Sequence, residues 1–333
     1  DIAHLMLQCQ DGDHGLTVST LAEADYFFHA GFNQLLYAVG MAPGKLDAVA
    51  ARVQHGMKLI IILDSAAVAQ QVVDAGQRHG VELNALIEID ADGKRGGLAP
   101  QHPELMAVAH TLQQAGAQCL GVMTHMGGAY HCRDRAALKH AALAECEAVR
   151  TAANRLRTAG LQCAIVSVGS TPTACVVEDL SGVSEVRAGT YVFYDLVMHA
   201  LGVCRLDQIA LSVLAEVIGH RPEAGELIID AGWMALSRDR GTASHAIDQG
   251  YGLVCELDGR PIKDLVVLNA DQEHGLVGHR TGQTVNLDAY PIGTRLRILP
   301  NHACATAAQH AGYWCINTGH QVIDYWPRLS GWT

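Results

Sequence analysis

Short apolar runs recur along the first part of the chain, separated by Ala-rich segments with helical periodicity. The runs are LTVS (16–19), LLYAVG (35–40), LIIILD (59–64), LNALIEID (83–90), CLGVMTH (119–125), CAIVSVGS (163–170) and EVRAGTYV (185–192). Runs that are apolar at nearly every position are typical of strands buried on both faces. Because strands and helices alternate, the pattern predicts a parallel sheet of seven strands that is covered by helices.

The ends of these strands favour a (β/α)8 TIM-type barrel. They are rich in polar, small and aromatic residues (THMGGAY, VGSTPT and RAGTY), and barrels carry their reactive groups at the carboxyl ends of the strands. A closed barrel needs one strand more, and the opening residues IAHLMLQC have the pattern of a helix that follows a strand. We therefore expect the first strand to precede Asp1 and the barrel to occupy residues 1–204. A doubly wound sheet is the alternative that periodicity leaves open.

The pattern changes after about residue 205, where long helical segments disappear. Strand-like segments joined by turns take their place: ALSVLAEVIGHR, ELIIDAGWMAL, YGLVCEL, LVVLNA, TRLRIL and HQVIDYW. This pattern predicts a smaller, mostly antiparallel β-domain over residues 205–333.

Composition narrows the class of protein. The net charge is −11 and only 17% of residues are charged, which argues against nucleic acid because phosphate binding needs clustered Lys and Arg. No apolar run is long enough to span a membrane. The ten cysteines are scattered and form no CxxC pair, so we expect reduced thiols in a cytoplasmic protein.

The segment PNHACAT places His302 and Cys304 two positions apart. On an extended chain, side chains at this spacing point to the same side. Imidazole nitrogen and thiolate sulfur are donors that suit zinc, and two protein ligands leave positions for water or substrate, as in an open catalytic site. The alternative interpretation is a buried core cysteine beside a surface histidine.

Two strand ends carry small and hydroxyl-bearing residues that suit an anion. The turn of Gly169, Ser170 and Thr171 offers backbone N–H groups and hydroxyls to a phosphate, although a plain β-turn at Pro172 is the alternative. The next strand ends with Gly189 and Thr190, and late barrel strands often build phosphate sites.

A third strand end carries His125, followed by a glycine loop that leads to Tyr130. The alternative for this element is a loop histidine beside a packing tyrosine. Asp230 and Glu273 are acid–base candidates in the β-domain, or else residues that cap turns.

The chain resembles a known enzyme family. The resemblance is carried by LTVSTLAEADYFFHAG, LLYAVGMAP, VSVGSTPT, EVRAGTYVFYDLVM, DAGWMALSRDRG, QEHG and PNHACAT, in order over nearly the whole chain. These motifs are similar to those of the D-serine dehydratase and D-threo-3-hydroxyaspartate dehydratase group. That group consists of fold-type III pyridoxal phosphate enzymes related to the alanine racemase barrel.

The resemblance implies pyridoxal 5'-phosphate as cofactor and a divalent metal at His302 and Cys304, zinc first, with Mn, Co or Mg as alternatives. It implies His125 and Tyr130 as residues at the catalytic site. The residues that it implies around the cofactor are Tyr130, Gly169, Ser170, Thr171, Gly189, Thr190 and Tyr191; Tyr191 alternatively packs inward as a plain aromatic. It also implies a homodimer.

The family's cofactor lysine has no counterpart motif in this sequence. By the family's spacing, this Schiff-base lysine is expected just before Asp1. Lys45 and Lys94 follow strand ends, but both lie among turn residues (APGK and DADGK), where we expect them to be solvated.

The activity implied is elimination from a D-β-hydroxy amino acid, with D-threo-3-hydroxyaspartate giving oxaloacetate and ammonia. A D-serine dehydratase that yields pyruvate, a D-threonine or 3-hydroxyaspartate aldolase of the same fold, and a non-catalytic pyridoxal phosphate-binding protein are the alternatives. Related aldolases carry His-x-Asp where this chain has His302 and Cys304, so Cys304 favours elimination.

Overall fold

The computed structural model describes residues 2–7 and 15–330 and divides into two compact units. The first contains the chain up to Gly128 together with His140–Arg187, and the second contains Ala129–Lys139 with Ala188–Ser330. Within the described residues, no helix is long and apolar enough to cross a membrane. The division of the sequence at residues 204 and 205 stays a prediction.

The first unit is built on a parallel sheet whose seven strands lie side by side in chain order. The strands are β1 (Leu16–Val18), β2 (Gln34–Gly40), β3 (Lys58–Leu63), β4 (Leu83–Ile89), β5 (Ala117–Thr124), β6 (Ile165–Val168) and β7 (Glu185–Val186). The helices are α1 (Ile2–Leu7), α2 (Leu21–His29), α3 (Leu46–Gln54), α4 (Ala66–His79), α5 (Glu104–Thr111), α6 (Arg135–Thr158, which begins in the second unit) and α7 (Thr171–Ala174). The predicted parallel sheet with alternating helices is confirmed, strand by strand.

Local sequence explains where these helices begin and end. Thr20 and Glu23 form a capping box at the start of α2, with the Thr20 hydroxyl accepting a hydrogen bond from the Glu23 amide. At the start of α4 the Ser65 hydroxyl accepts a hydrogen bond from the Val68 amide, and α4 ends at Gly80, whose φ of 64° is the left-handed conformation that glycine adopts at low cost. Each such cap stabilises its helix by about 1 kcal/mol.

The second unit contains a closed antiparallel barrel with the strand order β10-β11-β12-β9-β8-β13 and a separate hairpin of β14 and β15. Its strands are β8 (Val213–Arg221), β9 (Glu226–Ile229), β10 (Leu253–Cys255), β11 (Pro261–Ala270), β12 (Gly275–His279), β13 (Arg295–Leu299), β14 (Gly312–Ile316) and β15 (Val322–Pro327). Its short helices are α8 (Leu196–Ala200), α9 (Trp233–Leu236) and α10 (Ala303–Ala307).

The predicted antiparallel β-domain is confirmed, with three differences in detail. The run ELIIDAGWMAL does not continue as a strand, because β9 ends at Ile229 and Trp233–Leu236 form a helical turn. Strands β12 and β14 were not predicted; three of the five residues of β12 are Gly or His, so its apolar signal is weak.

Candidate active site

His125 lies at the carboxyl end of β5, half-buried in the sheet unit. Its Nδ1 is 2.9 Å from the carbonyl oxygen of Gly169. Since a carbonyl can only accept, Nδ1 carries the proton and Nε2 is left as the basic nitrogen. Burial lowers the pKa of His125 to about 4, and the positive charges of Arg95 and Arg187 add to this shift. His125 is therefore a neutral imidazole at pH 7.

Glu145, a buried carboxylate on α6, ties two strand ends together. Its side chain is 2% exposed and accepts hydrogen bonds from the backbone amides of Met126, at 2.9 Å, and Gly169, at 3.3 Å. Burial raises its pKa, while the hydrogen bonds from Thr173 and Met126 oppose that rise. Glu145 therefore binds both the loop that carries His125 and the turn that begins at Gly169.

The turn at Gly169 accepts no other residue. Gly169 has φ of 143°, and a Cβ at this position would lie 2.0 Å from the carbonyl oxygen of Arg187. Beyond it, the alternative of a plain β-turn at Pro172 is wrong: the residues form the first turn of α7, with Ser170 as its N-cap and Pro172 in the first turn, where proline is tolerated. The Ser170 hydroxyl accepts from the Thr173 amide, and both Ser170 and Thr171 are buried.

Arg187 places a fixed positive charge at this edge of the sheet. Its guanidinium donates to the Thr124 carbonyl and, at 2.8 Å, to the Ser167 hydroxyl, and it lies 3.8 Å from the Glu185 carboxylate. The side chain is 11% exposed. Sequence reasoning named neither Arg187 nor Glu145. The Arg in EVRAG was a usable signal for the first, whereas a helical Glu gave none for the second.

The remaining predicted cofactor residues belong to the second unit. Thr190–Val192 form a single 3-10 turn that follows Gly189, and a Cβ at Gly189 would meet no atom within 4 Å, so a small side chain fits at this position. Tyr191 lies in the same turn, and Tyr130 lies in the turn Gly127–His131. Convergence of the Gly169 and Gly189 turns on one phosphate stays a prediction.

The second unit brings His302 and Cys304 together, although not in the predicted conformation. The extended chain ends at His302, which is the N-cap of α10, and Cys304 lies in the first turn of that helix. The expectation that a strand aligns the two side chains was wrong, because the chain turns directly after His302. The side chains nonetheless meet through a hydrogen bond between Cys304 and His302.

Asp239 completes this arrangement. The His302 Nδ1 is 2.7 Å from the Asp239 Oδ2, so that Nε2 is the nitrogen that can bind a metal. The Asp239 hydrogen bond is the main cause that raises the pKa of His302 to about 10, with Cys304 second. The same bond lowers the pKa of Asp239. Close by in sequence, the His310 Nε2 lies 3.0 Å from the Ala235 carbonyl oxygen.

Buried polar side chains hold the pair in place. Asp195 is 1% exposed and accepts from the backbone amides of Met198 and Ala303, each at 2.9 Å, so it anchors the start of α10. The Asn301 amide donates to the carbonyls of Asp239, at 3.2 Å, and Gly250, at 2.7 Å. Asn301 thus holds the backbone at Asp239, the partner of His302, and Asp195 holds the start of α10, which carries Cys304.

The donor set fits a metal ion. An imidazole nitrogen oriented by a carboxylate and an adjacent thiol are ligands that zinc prefers. In the described part of the chain no group of three or more His, Cys, Asp or Glu is arranged to hold a metal. A metal held by His302 and Cys304 would keep open coordination positions, as catalytic sites require.

Other candidates from the sequence have structural roles or stay untested. Asp230 accepts from the Glu216 amide at 2.7 Å, and Glu273 is exposed. Lys45 is half-buried, 3.4 Å from the Tyr37 hydroxyl, which differs from the solvated position expected, whereas Lys94 is exposed. The expected Schiff-base lysine lies outside the described residues.

Two family models match the chain. Residues 1–196 match the alanine racemase N-terminal domain and residues 210–316 match a putative serine dehydratase domain. D-threo-3-hydroxyaspartate dehydratase of Delftia sp. (strain HT23) is 48% identical over 96% of this chain and 85% of its own length. Its solved structure has a TM-score of 0.95 at 47% identity, covering 99% of this chain and 88% of that chain.

The chain belongs to the D-threo-3-hydroxyaspartate and D-serine dehydratase family. This family consists of fold-type III pyridoxal phosphate enzymes, so the alanine racemase-like fold expected from the sequence is confirmed. D-serine dehydratase of Dictyostelium discoideum is 30% identical over 96% of this chain and 83% of its own length. A 3-hydroxy-D-aspartate aldolase of Paracoccus denitrificans is 28% identical over 95% of this chain and 78% of its own length.

Two further structures within the family bear on the metal pair. They are variants of the D-threo-3-hydroxyaspartate dehydratase in which a histidine and a cysteine, two positions apart, are each replaced by alanine. The cysteine variant is in a metal-free form. His302 and Cys304 have the same spacing and order.

Proposed function

We propose that this protein is a pyridoxal phosphate- and metal-dependent dehydratase that converts D-threo-3-hydroxyaspartate to oxaloacetate and ammonia. The reaction removes the α-proton and the β-hydroxyl group, and the resulting enamine tautomerises and is hydrolysed to the 2-oxo acid. Identity of 48% to the Delftia dehydratase, against 30% and 28% to a D-serine dehydratase and an aldolase, supports this substrate and reaction.

The observation that carries the proposal is the His302–Asp239–Cys304 arrangement. Asp239 holds the His302 ring through Nδ1 at 2.7 Å, and Cys304 presents an exposed thiol beside the ring. A metal ion bound there would supply Lewis acidity to the departing hydroxide, which is a poor leaving group at neutral pH. Asp195 and Asn301 keep the two ligands in this orientation.

The sheet edge supplies a setting that suits the cofactor. Pyridoxal phosphate would supply an electron sink for the charge left when the α-proton is removed. The Thr171 hydroxyl at the start of α7 in the sheet unit and the Thr190 hydroxyl after Gly189 in the second unit are groups of the kind that bind phosphate. His125 remains neutral beside Arg187, so its Nε2 can accept a proton or a hydrogen bond but cannot contribute a positive charge.

Ammonia and oxo-acid assays test the proposal directly. With the holoenzyme, D-threo-3-hydroxyaspartate should yield oxaloacetate and ammonia in equal amounts, and a chelator should abolish both until metal is restored. Glyoxylate and glycine as products would identify an aldolase instead. Pyruvate from D-serine at a higher kcat/KM would identify a D-serine dehydratase, and no turnover of either substrate would favour the non-catalytic cofactor-binding protein. Assembly as a homodimer and location in the cytoplasm stay predictions.

A further inference from the structure

The backbone turn at Ser237 is unusual for a residue that carries a side chain. Ser237 directly follows α9 and has φ of 77° and ψ of 167°, a combination that glycine adopts and other residues avoid. The residue is buried. Such a conformation costs energy and persists only where the surrounding contacts impose it. Two residues later the chain reaches Asp239, whose Oδ2 lies 2.7 Å from the His302 Nδ1, so the turn directly precedes the partner of the metal pair.

The chain before this turn is held by the segment that carries the thiol. The Thr306 hydroxyl, buried on α10, donates to the Leu236 carbonyl at 2.7 Å. Four residues further along the chain, the His310 Nε2 lies 3.0 Å from the Ala235 carbonyl oxygen. The last carbonyls of a helix have no partner within that helix, so these two side chains complete the end of α9. Cys304 lies on α10 two residues before Thr306.

The chain after the turn is held through Asp239. The Asn301 side chain donates to the Asp239 carbonyl at 3.2 Å, and the Gly241 amide donates to the Asp239 carboxylate at 2.8 Å. The Asp239 amide in turn donates to the Ser237 hydroxyl at 3.2 Å. Ser237 is therefore restrained on both sides, one residue before it and two residues after it. These restraints account for its imposed backbone conformation.

The contacts form a closed path around the metal pair. From Thr306 the path runs to Leu236 and then along the chain to Asp239. It returns through His302, which is the N-cap of α10 and whose carbonyl accepts from the Thr306 amide at 3.1 Å. A change at Thr306 or Ser237 therefore alters how the carboxylate meets the imidazole, while the imidazole, the carboxylate and the thiol all remain.

We propose that Thr306 and Ser237 are positioning residues that hold the Asp239 carboxylate against its histidine and so raise the metal affinity of the pair. This inference deepens the proposed dehydratase function and rests on it. A carboxylate that orients a metal-binding histidine fixes the direction of the ring, so a carboxylate that is held less well weakens metal binding. Because neither residue contacts the imidazole itself, we expect a loss of affinity of about 10-fold, the low end of the range for partners of metal ligands.

Cobalt binding by the full-length, cofactor-loaded protein tests the role of Thr306. Thr306→Val keeps the shape and removes the hydroxyl, and the cobalt Kd, measured from the visible absorbance of the bound ion, should rise about 10-fold. Thr306→Ser restores the donor and should stay within about 3-fold of wild type.

A buried threonine of the sheet unit provides the matched control. The Thr124 hydroxyl donates to the Ile89 carbonyl at 2.6 Å, so Thr124→Val removes the same kind of hydrogen bond. This variant should lose resistance to urea as Thr306→Val does and leave the cobalt Kd unchanged. An unchanged Kd in Thr306→Val, or an equal rise in Thr124→Val, would overturn the role of Thr306.

Ser237→Gly separates positioning from stability. Glycine adopts this backbone conformation without strain, so the variant should resist urea at least as well as wild type. The same change frees the turn and removes the hydroxyl that accepts from the Asp239 amide, so the cobalt Kd should rise about 10-fold. A purely structural role does not predict that stability and affinity move apart, and an unchanged Kd would overturn the role of Ser237. Failure of wild type to bind cobalt would instead overturn the metal dependence of the proposed function.

Discussion

Two histidines, one in each unit, occupy opposite electrostatic environments. His125 donates Nδ1–H to the Gly169 carbonyl, lies near Arg95 and Arg187, and has a pKa lowered to about 4. His302 places Nδ1 against the Asp239 carboxylate, contacts Cys304, and has a pKa raised to about 10. A carbonyl with nearby cations keeps the first ring neutral, whereas a carboxylate favours the protonated form of the second ring, and a metal ion bound at Nε2 would take the place of that proton.

The supports beneath the two histidines are alike. Glu145 in the sheet unit and Asp195 in the second unit are each at most 2% exposed, and each accepts hydrogen bonds from two backbone amides. Both carboxylates have pKa values raised mainly by burial. In both regions a buried carboxylate therefore holds the backbone through two amide hydrogen bonds. The regions differ in the protonation that they favour for the histidine. The difference suits the proposed metal in one region and an uncharged imidazole in the other.

Removing the thiol should produce the largest effect. In Cys304→Ala we expect the metal to be lost and kcat to fall about 1000-fold, because Lewis acid assistance to the leaving hydroxide contributes several kcal/mol. Metal content by atomic absorption and ammonia release measure the two effects. Cys175→Ala changes an exposed thiol of the sheet unit and serves as control. Full activity of Cys304→Ala would remove the metal pair from the mechanism.

The glycine turn of the sheet unit gives the next largest effect. Gly169→Ala puts a methyl group 2.0 Å from the Arg187 carbonyl in a backbone conformation that Ala avoids. We expect the free energy of unfolding to fall by about 3 kcal/mol. Gly189→Ala is the matched change, since its φ is −138° and its Cβ meets no atom within 4 Å. Urea titrations should show a loss for Gly169→Ala alone; equal losses would contradict the close contact.

Much of the architecture was predictable from the sequence. Strands buried on both faces leave apolar runs, and a glycine such as Gly80 marks the end of a helix in the local sequence. The pair His302 and Cys304 was predictable from its residue types. The conformation around it was not, because helix α10 depends on Asp195 accepting from the Ala303 amide over 108 residues of sequence. Asp239 was missed for the same reason, since its contact with His302 spans 63 residues.

The two histidines should respond to pH in opposite directions. The pKa of His125 is about 4 in the folded protein against an ordinary 6.5, so the unfolded state binds more protons and stability falls as pH drops from 6.5 to 4. This loss amounts to about 2–3 kcal/mol. The pKa of His302 is raised from 6.5 to about 10, so its contribution is complete below pH 6.5 and disappears as pH rises to 10.

Urea titrations of the chelator-treated protein between pH 4 and pH 10 measure both losses of stability: the acid limb of the stability curve, below pH 6.5, and the alkaline limb, above pH 6.5. His125→Asn keeps a donor for the Gly169 carbonyl without a titrating group and should flatten the acid limb only. His302→Asn should flatten the alkaline limb only. If either variant changes the opposite limb, the assignment of the two environments is wrong.

The smallest of these effects concerns the partner of His302. Asp239→Asn keeps the shape and one acceptor oxygen but removes the negative charge that faces Nδ1. Replacing such a partner of a metal-binding histidine weakens metal affinity by about 10- to 100-fold, so we expect the cobalt Kd to rise by that factor while cobalt–thiolate absorbance from Cys304 persists at saturation. Asp248→Asn is the matched control. It removes the Asp248 carboxylate, which pairs with Arg240, and should leave the Kd unchanged. Unaltered affinity in Asp239→Asn would mean that the carboxylate only braces the loop through its bond with the Gly241 amide.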